Sequence, residues 1–128
     1  MKRAVLAIAA GLVLAMLPTT AWASSGQLAG TWTSIDGDGS LQTLSITGSG
    51  QTAYAMVYVD ESATVCNGAP ARASGPGFVD GDGVLMFGTL VCLPGGNVFK
   101  SRITLGYEYD PGAGTLTDSF GIVWHRAA

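Results

Sequence analysis

The chain is poor in the residues that nucleophilic and metal chemistry most often uses. Of its 128 residues one is histidine, two are cysteine, and 12% are charged. One His and two Cys outside any C-x-x-C spacing exclude the usual zinc ligand sets. The lone His125 stands six residues beyond Ser119, about 20 Å along a strand. The two therefore cannot act as base and nucleophile within one straight strand. Glu108 and Asp110 would sit about 6.6 Å apart on a strand face, a spacing that overlaps the carboxylate pair of inverting glycosidases. A solvated strand face beside a turn accounts for them better. Sustained 3.6-residue periodicity is also missing after the first 23 residues, so no helix offers its N-terminus to a phosphate. The expectation is a protein that is not an enzyme and carries no cofactor and no metal.

The apolar character is concentrated at the start. Met1-Lys2-Arg3 precedes an uncharged run from Ala4 to Leu17, then Pro18 and the small-x-small set Ala21-Trp22-Ala23. Basic start, apolar centre and small-residue cleavage site predict a signal peptide over 1–23; the run is shorter than the roughly 20 residues a bilayer span needs. An uncleaved anchor is the alternative reading. Residues 24–128 would then form one domain, secreted or periplasmic, with no membrane span. That portion has four basic residues, Arg72, Lys100, Arg102 and Arg126, against nine acidic ones. A net charge of −5 without a basic stripe argues against nucleic acid. Cys66 and Cys92 are expected to pair in an oxidising compartment, the alternative being two buried free thiols.

What the chain does have is β pattern. Short runs rich in Thr, Val and Tyr recur every 8–12 residues between Gly, Asp, Asn and Pro clusters. Gly30–Ile35, Leu41–Thr47 and Thr52–Val59 come first, the second carrying Leu44 and Ile46 on one face. In the third, Tyr54, Met56 and Tyr58 share a face opposite small apolar residues. The pattern loosens from Asp60 to Pro76, where Pro70 limits any strand over 69–74 to an edge. Val84–Cys92 leaves an Asp-Gly turn of the kind that makes hairpins. Phe99–Tyr109 alternates cleanly, with Ile103, Leu105, Tyr107 and Tyr109 on the buried side. Thr115–Arg126 supplies one or two more strands, with Phe120, Ile122 and Trp124 on one face. Seven or eight short strands predict an all-β, antiparallel up-and-down barrel or a barrel-like sandwich, and a monomer is expected.

Two resemblances follow from the ends of that pattern. Gly30-Thr31-Trp32 at the start and Trp124-His125-Arg126 at the close resemble the lipocalin and avidin superfamily of barrels. The resemblance implies that Trp32 plugs the barrel floor with Trp124 nearby, and that Arg126 lies over Trp32 as a cation–π partner. Avidin's biotin-contacting pattern has no counterpart here. Ser24-Ser25-Gly26-Gln27 ahead of Leu28-Ala29-Gly30-Thr31-Trp32 is similar to the periplasmic metalloprotease inhibitors of Gram-negative bacteria. That likeness would cast Ser24 and Ser25 as an inhibitory trunk against a secreted protease, although Cys66 and Cys92 stand elsewhere than the inhibitors' cysteine pair.

Binding is the function class the sequence favours. Tyr54, Met56, Tyr58, Tyr107 and Tyr109 could line a lumen for a small apolar ligand; in a small barrel the same residues could instead fill the core. A bare structural domain is a third reading. The twin Asp-Gly-Asp-Gly segments at 36–39 and 80–83 lack the glycine and glutamate of a calcium loop. They read as hairpin turns, with a weak calcium site uniting both as a further possibility.

Overall fold

The computed structural model describes residues 27–50, 52–93 and 101–128. The leader, Ser24 and Ser25 lie outside them. Eight strands follow one another: β1 (Gly30–Ile35), β2 (Leu41–Thr47), β3 (Ala53–Asp60), β4 (Ala71–Asp80), β5 (Gly83–Cys92), β6 (Ser101–Asp110), β7 (Thr115–Asp118) and β8 (Val123–Arg126). Each pairs antiparallel with the next, and β8 returns to β1, so the sheet is a closed barrel and not a sandwich. Closure removes both sheet edges. It rests on two residue pairs, Trp32 with Arg126 and Thr33 with His125.

Strict up-and-down order sends successive connections to alternate ends. The 36–40, 61–70 and 119–122 connections share one end, here called the mouth. Residues 27–29, the 81–82 turn, the 111–114 turn and the C-terminus share the other. The two Asp-Gly-Asp-Gly segments therefore sit at opposite ends, and a calcium site uniting them is ruled out by topology. Each is a turn in its own right. Asp36 Oδ1 accepts from Gly37 N and Asp38 Oδ1 from Ser40 N, and this hydrogen bonding to Ser40 holds the Asp38 carboxyl below its ordinary pKa. At the other end Asp80 pairs with Gly83 across a two-residue turn. There Gly81 alone takes positive φ, +59°.

Period-two alternation points one face of every strand inward. Leu44, Met56, Met86 and Leu116 are fully buried, together with Trp32 and Trp124. β4 supplies the narrow side of this packing, because its inward positions are Ala71, Ala73, Gly75 and Gly77. Met56 lies in the space beside Gly77, where a Cβ would come within 2.1 Å of its sulfur. At Gly75 the constraint is backbone on backbone: a Cβ there would stand 1.9 Å from the Phe87 carbonyl oxygen.

β4 is longer than the sequence pattern predicts. It runs through Gly75-Pro76-Gly77 as one ten-residue strand, where a loosened stretch and at most a short edge strand were expected. The ladder to β5 is recorded from Ala71↔Cys92 to Ser74↔Thr89 and resumes at Gly77↔Met86 in unchanged register. Pro76 has no N–H to give, and the pairing lapses around it without a shift. The β3 side stays paired throughout, including Ala55↔Pro76. Phe120 also departs from expectation. β7 and β8 are separated by a turn at 119–122, and Phe120 at its tip is 78% exposed, not on a face shared with Trp124.

The end opposite the mouth is sealed by the chain's own start. Leu28 is buried and its carbonyl accepts from Trp32 Nε1 at 2.9 Å. The Arg126 guanidinium lies 4.3 Å from the Trp32 ring centroid and donates to the carbonyls of Ala29 (2.8 Å) and Gln27. Gly30, with φ +137°, leaves room for that guanidinium; a Cβ would meet Arg126 Nη1 at 2.9 Å. Tyr109 closes the remaining gap edge-on to Trp32 at 6.3 Å.

At the mouth, Cys66 and Cys92 form a disulfide. It ties the 61–70 connection, with its single 3-10 turn at Thr64–Cys66, to the end of β5. Asn67 and Gly68 take left-handed φ there, folding the loop back so that Ala63 is buried.

Two outcomes follow from this packing. Gly75→Ala should lower stability by about 1–3 kcal/mol or more, since neither backbone can yield without breaking pairing; chemical denaturation measures it. Replacing both cysteines by alanine releases a 26-residue crosslink whose chain-entropy contribution is about 3–4 kcal/mol, so the melting temperature should fall by roughly 10–25 °C.

Candidate functional site

The barrel is filled at its centre and open at the mouth. There a cavity of about 480 Å³ opens among Ala71, Leu90, Ile103, Leu105, Tyr107 and Ile122, with the loop residues Ala63, Thr64 and Val65 on one side and Phe120 on the other. This is within the size range of small-molecule sites. Trp124 lies beneath it: its ring meets Tyr58 at 6.1 Å and Tyr107 at 5.9 Å, both edge-on. Trp124 Nε1 donates to Asp118 Oδ2, while Asp118 Oδ1 accepts from the backbone N–H of Phe120 and Ile122. One carboxylate thus holds both the floor indole and the β7–β8 turn.

The polar residues of the cavity form a chain. Gln42 Nε2 donates to Tyr58 Oη at 3.0 Å. Tyr58 Oη in turn donates to Asp60 Oδ2 at 3.4 Å. Asp60 is buried, and its Oδ1 accepts from Ser40 Oγ (3.1 Å) and Ser62 N (2.9 Å). With the amide nitrogen of Gln42 committed to Tyr58, its oxygen is left over. Gln42 is 4% exposed, and its Oε1 is the one buried side-chain oxygen or nitrogen without a hydrogen-bond partner among the described residues. Such an orphan is costly unless something donates to it.

Burial and surrounding charge act together on the tyrosines. Burial is the largest influence on Tyr58, followed by the charges of Asp60 and Asp36, and all push its pKa well above the ordinary value. Tyr107 is pushed up by burial first, then by Tyr58 and Asp118. Both remain neutral phenols that can donate a hydrogen bond.

The five residues expected to line a lumen do not share one space. Tyr58 and Tyr107 border the mouth cavity. Tyr54 and Tyr109 face a smaller cleft of about 260 Å³ at the sealed end, beside Leu28 and Pro111. Met56 lies in the packed centre. The tryptophans also separate, Trp32 with Arg126 at the sealed end and Trp124 under the mouth. Gln42, Asp60 and Asp118 are functional candidates that the sequence reading passed over. The signal for two of them was present: Gln42 precedes Leu44 and Ile46 by the same period of two, and Asp60 continues the face of Tyr54, Met56 and Tyr58.

The candidates for catalysis are not assembled. Ser119 Oγ is engaged with the backbone of Gly106, His125 is exposed on the outer face of β8, and Glu108 and Asp110 are exposed on β6. Among the described residues, no cluster of three His, Cys, Asp or Glu could hold a metal, and no helix is long and apolar enough to cross a membrane. The chain matches no family model, no curated protein and no solved structure. The closed eight-stranded antiparallel barrel is consistent with a calycin-like architecture.

The two raised tyrosines give a spectroscopic outcome. In alkaline titration of the folded protein, Tyr58→Phe and Tyr107→Phe should leave the tyrosinate absorbance near pH 10 unchanged, because neither phenol ionises there. The folded state then holds protons that the unfolded chain releases above about pH 10. Stability should accordingly fall as pH rises beyond that point, and each Phe variant should reduce the fall.

Proposed function

We propose that this protein is an exported, calycin-type binding protein that takes a small, partly apolar molecule into the mouth of its barrel. The observation that carries the reading is the cavity of about 480 Å³. Its walls are aliphatic and aromatic, with a few polar atoms converging at one side, the composition expected of a small-molecule site. The disulfide supports it in two ways. It suits an oxidising compartment, and it holds Ala63, Thr64 and Val65 where they wall the cavity. Phe120 and Val65 add exposed apolar surface at the rim, which a bound molecule would cover.

N-phenyl-1-naphthylamine, a neutral apolar dye, tests the reading. Its fluorescence should rise saturably with one dye per chain, with parallel quenching of tryptophan emission as the Trp124 side of the cavity fills. Ile122→Arg places a charge at a half-buried wall position and should weaken the dye by about tenfold or more. A titration without saturation, or equal binding by the variant, would sink the proposal.

A further inference from the structure

We infer that the mouth cavity selects a small organic ammonium ion, with an apolar body against Leu90, Ile103 and Leu105 and its N–H directed at Gln42 Oε1. The inference rests on the proposal that the mouth binds a small molecule, and it names the chemistry of that molecule.

Two independent observations meet at one place. The first is the orphan acceptor. Gln42 lines the cavity, is 4% exposed, and its Oε1 has no donor among the described residues. Turning the amide over would not satisfy it. Tyr58 has a single O–H, already directed to Asp60, and reversal would leave Gln42 Nε2 without an acceptor while its oxygen competed with Asp60 for that proton. The arrangement Gln42 to Tyr58 to Asp60 uses each donor once and leaves one acceptor free. What fits it is a molecule that brings an N–H or O–H.

The second observation is the sign of the charge. Asp36, Asp60 and Asp118 all border the cavity, and its described lining contains no lysine, arginine or histidine; Lys100 lies outside the described residues. Asp60 is 5% exposed, so its field is poorly screened by water. An acidic group on a ligand would meet three carboxylates and a bare carbonyl oxygen. A neutral donor would satisfy Gln42 alone. An ammonium bearing at least one N–H satisfies Gln42 and offsets the carboxylates together, and charge-assisted hydrogen bonds are about twice as strong as neutral ones. Burial first, and then the charges of Asp60 and Asp36, raise the pKa of Tyr58, in keeping with a negative potential beside Gln42.

The experiment compares ligands of one shape by calorimetry on the intact disulfide-bonded chain near neutral pH: 2-phenylethylammonium, its N,N,N-trimethyl form, 2-phenylethanol and 3-phenylpropionate. The ammonium should bind at least about tenfold more tightly than the alcohol, and the carboxylate more weakly than either. The trimethyl form keeps the charge but has no N–H, and should fall between ammonium and alcohol. Gln42→Leu should cost the ammonium about tenfold and remove its advantage over the trimethyl form. Asp36→Asn preserves the shape of an exposed turn and removes one charge, so it should cost both cations about twofold to fourfold and leave the alcohol unchanged. Thermal melting checks that each variant is folded. Equal binding of alcohol and ammonium, or preference for the carboxylate, overturns the inference, as does an ammonium affinity unmoved by Gln42→Leu in a folded variant. The dye separates the two levels. If N-phenyl-1-naphthylamine binds and the ammonium does not, only the head-group selectivity falls; if neither binds, the small-molecule reading falls with it.

Discussion

Everything in this barrel depends on how its first and last strands meet. β1 and β8 share only two residue pairs, too few for backbone pairing alone to hold the seam. Side chains complete it. Arg126 spans from the Trp32 ring to the carbonyls of Ala29 and Gln27, and the Trp32 indole reaches back to Leu28. Ser34 Oγ adds a bond across the same seam to the carbonyl of Val123. A planar guanidinium is suited to this, since it can stack on a ring and donate in its own plane together. The seal closes one end of the barrel, and the space left over appears at the other.

That division explains why the sequence was informative about architecture and less so about the site. Strands such as Leu41–Thr47 and Gly30–Ile35 are legible because alternation and turn residues are local signals, and the Cys66–Cys92 pairing followed from compartment and count. β4 was obscured because Pro70, Pro76 and the glycines around Pro76 loosen the alternation, whereas β3 and β5 pair the strand on both sides and tolerate one lapse. Phe120 was misplaced for the opposite reason: an apolar residue fitted an alternation that the 119–122 turn interrupts.

The site was harder because height along the barrel is not a local property. Tyr54, Tyr58, Tyr107 and Tyr109 all point inward, as their spacing implied. Which of them meet depends on strand tilt as well as register: Leu44 pairs with both Trp32 and Tyr58, yet Tyr58 borders the mouth cavity with Tyr107, while Trp32 meets Tyr109 at the sealed end. Gln42 and Asp60 occupy the same inward faces with polar ends, and a pattern of alternating apolar residues does not mark them. A lumen is defined as much by what is small. Ala71 on β4 borders the cavity, and a larger side chain there would fill part of it.

The same seal has a practical bearing on orientation. Gln27 and Arg126 lie together at the closed end, bonded to each other, while the cavity opens at the far end of the barrel. Anything joined to the C-terminus, whether a purification tag, a surface linker or a fluorescent reporter, would therefore trail from the base. A protein immobilised by that terminus would present its opening to the solution, where a ligand can reach it without passing the support.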